Sequence, residues 1–241
     1  MAIQFFPKTT QIIFFDLEFY VPKRDRNKPT FSFAFNPTLE NHIILGGVFE
    51  KVYPLIEKPP VRQSYWLWKY SSEKELVTLI YRYIVNAWAP ILKRKGAASL
   101  IASGIAIERA DIPILYTKFL QYQVDTPERI FRHLFNIRVI DLSVVGIPFF
   151  NKKKDGMLYP KTKHDLSQKF NPTGITSSGK LVWDAYDCRD FASIEQRTNQ
   201  EVSDLITIFN QIHSGIQELN SLKQVKKRYE KLKALMKAND V

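Results

Sequence analysis

The chain has 241 residues, 45% of them hydrophobic and 13% aromatic, enough to bury a sizeable core and too apolar for a disordered class. A formal charge of +11 favours polyanionic partners, while a single cysteine, Cys188, excludes a disulfide framework and a cysteine-based zinc site. No apolar segment approaches the roughly 20 residues of a membrane span and the first residues lack a signal-peptide pattern, so a soluble cytoplasmic protein is expected.

The first element is the stretch QIIFFDLEFY, residues 11 to 20, where four large apolar residues read as a strand buried on both faces. Asp16 and Glu18 follow at i and i+2. Alternation along a strand points both to one side, about 7 Å apart, which makes one wall of a cage for a hard divalent cation. A strand that simply ends at a polar turn would look the same. The segments FSFAF and NHIILGGVF then suggest strands over 31–35 and 42–49 in an antiparallel meander with the first. Tyr65, Trp66, Trp68 and Tyr70 crowd together next, with the composition of a core plug or of a base-stacking surface.

Ser72 and Glu75 have capping-box spacing, and apolar residues at helical spacing predict a helix over about 73–89, ending near Pro90. SLIASGIAI reads as a second buried strand. It leads into a helix over ERADIPILYTKFLQY, with Asp111 at the junction, where a helix N-terminus favours a carboxylate. Residues 137–145 predict another strand, with Asp141 near its end. A basic loop, a short helix over HDLSQKF and a turn-rich segment precede a long helix beginning near Asp190. Residues 221–238 combine heptad-like apolar positions with many lysines, so a basic C-terminal helix over 218–241 is expected beyond a main domain over 1–217. Such a helix can pack its apolar side and offer the other to phosphates or to water.

Taken together, FFDLEF, ILGGVF, SGIAIERADIPIL and IDLSVVG, in that order, resemble the motifs of the DEDD superfamily of 3'-5' exonucleases, over about residues 10–215. The resemblance implies an α/β, ribonuclease H-like mixed central sheet flanked by helices. It further implies single-stranded RNA or DNA as substrate and a pair of Mg²⁺ or Mn²⁺ ions held by Asp16, Glu18, Asp111 and a fourth acid. That acid lies in NQEVSDLITIF in two registers. Asp204 is favoured, with Asn199 where proofreading-type members carry a histidine; Glu201 is the alternative, with Arg197 where polymerase-type members carry a tyrosine. Asp190, four residues after Tyr186, ranks third. His164 is a candidate general base supplied from the preceding segment. A protein that keeps the fold, lacks the base and only binds nucleic acid is the alternative function.

Overall fold

Strand β1, Gln11–Tyr20, carries the alternation on which the fold is built. Ile12 and Phe14 belong to one apolar cluster, whereas Ile13, Phe15, Leu17 and Phe19 belong to another on the opposite face. The computed structural model describes residues 10–26, 34–92, 100–150, 159–174 and 179–239. β2, Ile43–Val52, and β3, Val61–Trp66, pair antiparallel beside β1, while β4, Leu100–Gly104, and β5, Arg138–Asp141, pair parallel on its other side. The five-stranded mixed sheet has the order β3-β2-β1-β4-β5. It is an α/β architecture compatible with a ribonuclease H-like layout.

On the Leu17 face lie α1, Glu73–Leu92, α2, Asp111–Gln121, and α3, Pro127–Phe135. On the Phe14 face lie α4, Leu142–Val145, α5, Lys163–Phe170, α6, Lys180–Asp187, and α7, Phe191–Asn239, whose Ile194, Val202, Leu205, Ile208 and Ile212 are buried against the sheet. Burying both faces of β1 removes water from the whole strand except at Asp16 and Tyr20, which keep partial exposure.

Several expectations need amending. Of the strand expected over 31–35, residues 31–33 lie outside the described ones; Phe35 is not in a strand but packs its ring on Phe19 at 4.7 Å. The strand expected over 137–145 stops at Asp141, because Asp141 Oδ1 accepts the Ser143 N–H at 2.9 Å and starts α4. At α1 only half of the capping box forms. Ser72 Oγ accepts the Glu75 N–H at 3.2 Å, but Glu75 takes Ser71 instead, and the helix runs past Pro90 to Leu92. The crowded aromatics are a plug: Trp68 stacks between Trp66 at 5.1 Å and Phe191 at 4.4 Å, and Trp66 is fully buried. The basic tail is no separate helix, since α7 runs unbroken across residues 217 and 218.

Candidate metal centre

Asp16 and Glu18 share the side of β1 that faces α7, as period-two alternation requires. Opposite them α7 presents Glu201, one turn after Arg197 and three residues after Thr198. One carboxylate oxygen from each of Asp16, Glu18 and Glu201 lies within 4.8 Å of the other two. Glu18 and Glu201 are buried and Asp16 is partly exposed, so the group opens to solvent on the Asp16 side.

Two cations border the three acids. Arg197 donates from Nη1 to Glu18 Oε1 at 2.8 Å and lies with Nη2 at 2.7 Å from Glu201 Oε1. Lys163, the first residue of α5, forms an ion pair with the same Glu201 oxygen. Thr198 Oγ1 donates to Glu18 Oε1 at 3.0 Å and fixes its rotamer from within the helix.

These contacts set the protonation of the group. Although part of Asp16 meets solvent, its carboxyl is packed among protein atoms, and that desolvation, then the charge of Glu201, raises its pKa well above the ordinary aspartate range. Burial and Glu201 likewise push Glu18 up to about 8, against the opposing pull of Arg197. Burial opposes ionisation of Glu201 as well. There the hydrogen bond with Asp16 and the charges of Lys163 and Arg197 outweigh it and hold its pKa below the ordinary glutamate value. Asp16 and Glu201 are hydrogen-bonded to each other, with ionisation disfavoured at Asp16 and favoured at Glu201.

The other candidates stand elsewhere. Asp204, favoured from sequence, is buried on α7 one helical turn beyond the group, where its Oδ1 accepts from Asn171 at 2.9 Å and from Gln200 at 3.0 Å. That Glu201, rather than Asp204, stands beside Asp16 and Glu18 has a plain cause. Three residues advance a helix by about 4.5 Å, enough to carry a side chain from the end of β1 to the turn after α5. Asp111 is also outside the group. Its carboxyl, pushed up to about 7 by burial, is nonetheless held by its own backbone N–H and by that of Leu17. Asp190 is exposed and caps α7, accepting the Ser193 N–H at 3.2 Å, while Tyr186 packs on Tyr20 at 4.8 Å. His164 is exposed, and it is the preceding Lys163 that reaches the acids. Asn199 donates to the Glu195 carbonyl at 2.8 Å.

In the Glu201 register the sequence places Arg197 beside the acid, in the position of the tyrosine, but not as its ion-pair partner; Lys163 it does not single out. Arg197 and Glu201 do carry a usable signal, since four residues on a helix bring opposite charges together. Nothing local marks Lys163, which meets Glu201 across 38 residues.

The donor set fits a hard divalent cation. It is all carboxylate oxygen, converges from a strand and a helix, and is buried and crowded enough that ionisation is disfavoured at Asp16 and Glu18 in the absence of a cation. No protein-family model matches the sequence, and no curated protein matches it either.

Proposed function

We propose that the chain is a metal-dependent 3'-5' exonuclease that hydrolyses phosphodiester bonds of single-stranded nucleic acid. One observation carries this: one carboxylate oxygen each of Asp16, Glu18 and Glu201 lies within 4.8 Å of the others, against the C-terminal half of the central strand. In an open α/β sheet, the ends of parallel strands are where ligands are met. The +11 charge supports a polyanionic substrate.

Asp16, Glu18 and Glu201 would hold Mg²⁺ or Mn²⁺. When bound, such an ion lowers the pKa of a coordinated water and offsets charge on the phosphoryl oxygens. The chain's own residues do the rest. Thr198 and Arg197 hold Glu18 in one orientation, Arg197 and Lys163 keep Glu201 ionised, and the partly exposed Asp16 is the acid that meets solvent. Asn199 and Arg197, which stand where the enzymes the sequence resembles carry a histidine or a tyrosine, are engaged with the Glu195 carbonyl and with Glu18, so the proton of an ion-bound water would pass to solvent.

A second function, nucleic-acid binding without hydrolysis, is favoured by one specific observation: Arg197 and Lys163 already engage Glu18 and Glu201. Incubation with 3'- and 5'-labelled single strands and Mn²⁺ separates the two. Hydrolysis predicts a ladder shortening from the 3' end, abolished by EDTA and by Asp16→Asn. Retained binding with no product from RNA or DNA selects the second.

A further inference from the structure

We infer that this centre takes one divalent ion and that Arg197 occupies the place of a second. The inference rests on the metal-dependent function proposed above and specifies its stoichiometry. A two-ion centre needs acids that bridge a pair of cations about 4 Å apart. Here the bridge between Glu18 and Glu201 is made by a guanidinium, with one nitrogen 2.8 Å from Glu18 Oε1 and the other 2.7 Å from Glu201 Oε1. That planar fork presents two donors to two carboxylates, satisfies both, and cannot be deprotonated to make room for an ion.

The acids a second ion would need are committed elsewhere. Asp111 is held by two backbone N–H groups and lies outside the three-carboxylate group, and Asp204 is tied to Asn171 and Gln200. Charge points the same way. With Arg197 and Lys163 counted, one dication already more than balances Asp16, Glu18 and Glu201; another would add two charges with nothing to offset them. Asp16 is the one acid of the three with no Lys or Arg within ion-pair distance among the described residues, so the single ion belongs on its side of the group.

This arrangement fixes a positive charge beside the ion permanently. Arg197 then lends charge stabilisation to an anionic reacting group without having to be recruited from solution.

Titration of the EDTA-stripped, full-length protein with Mn²⁺, followed by calorimetry and by electron paramagnetic resonance, tests the inference without any turnover. One equivalent with the signal of an isolated Mn²⁺ is expected. Two equivalents with a spin-coupled signal would overturn the one-ion assignment and leave metal-dependent hydrolysis standing. No uptake would remove both. Arg197→Gln, checked by circular dichroism, frees one oxygen of Glu18 and one of Glu201 and should admit a second, much weaker equivalent, and Arg197→Lys should keep the count at one. A folded Arg197→Gln protein that still takes a single ion would show that Arg197 does not hold a second ion's place.

Discussion

Two buried groups of charge lie on opposite faces of the sheet, and they are composed differently. Between α1, α2 and β2, Glu73 faces Lys118, which is completely buried with its Nζ 3.1 Å from Glu73 Oε1. Glu73 also accepts the Ile44 N–H at 2.7 Å and the Tyr122 hydroxyl at 2.6 Å, and Lys118 donates to the His42 carbonyl at 2.8 Å. One acid meets one base, with their remaining hydrogen-bonding capacity largely used. Between β1 and α7, three acids meet two bases, and ionisation is disfavoured at both Asp16 and Glu18. A balanced group locks elements together, whereas an unbalanced one is poised to exchange a proton for a metal.

The sharpest way to break this contrast is to remove one charge from each group. Lys118→Met leaves Glu73 buried and unpaired, so a loss of about 3 to 5 kcal/mol is expected in urea denaturation, with Mn²⁺ uptake unchanged. Asp16→Asn, measured in EDTA, should cost little or even stabilise, because burial and the neighbouring Glu201 already disfavour the ionised carboxylate there; a loss comparable to that of Lys118→Met would equate the two groups. Glu201→Gln should weaken Mn²⁺ by about 100-fold, roughly 2.7 kcal/mol, in calorimetry.

Acidity provides the next test. Glu18 is raised from 4.5 to about 8, so the folded state binds its proton more tightly than the unfolded state. Its contribution to stability is complete below about 4.5 and is lost as pH rises through about 8. The melting temperature of the EDTA-stripped protein should therefore fall across that window. Saturating Mn²⁺ should flatten the fall, since the ion replaces the proton. A profile unchanged by Mn²⁺ would separate Glu18 from the metal.

Smaller effects remain at the margins. Asp204→Asn perturbs one hydrogen bond from α7 to Asn171 and one within α7 to Gln200 and should cost about 1 kcal/mol, with Mn²⁺ affinity within a few-fold of the parent. A collapse of affinity there, with Glu201→Gln neutral, would restore the other register. Deleting residues 221–241 should change the melting temperature least of all, because Leu222, Val225 and Tyr229 are each more than 60% exposed. If the tail contacts phosphates, that deletion should also reduce the salt slope of single-strand binding by about 0.7 per contact.

Much of the scaffold could be read before any coordinates. The apolar run before Asp16, the ILGGVF strand, the helix after Ser72 and the strand before Asp111 are each long or strongly patterned. The elements missed were short or atypical. β3 carries exposed polar residues along most of its length and is a strand only because β2 pairs with it. α3 and α6 have 9 and 8 residues and sit beside turn-forming sequence. At the centre, Asp16 and Glu18 were legible because a strand's period is short and strict. Glu201 and Asp204 were not separable, since a helix sets both on nearly one face and only the position of β1 decides between them. Long-range partners such as Lys163 leave no local trace at all.

The glycine pair of β2 sets where this chain can vary. Gly46 has φ of +138° opposite Glu18, at the bulge, and a β-carbon there would lie 2.0 Å from the Tyr65 carbonyl oxygen. One added at Gly47 would lie 2.5 Å from the backbone oxygen of Asp16 itself. A saturation-mutagenesis map should therefore show two intolerant positions on a strand that contributes no acid, base or ligand to the centre. Their failures would mimic the loss of Asp16, because what they supply is room.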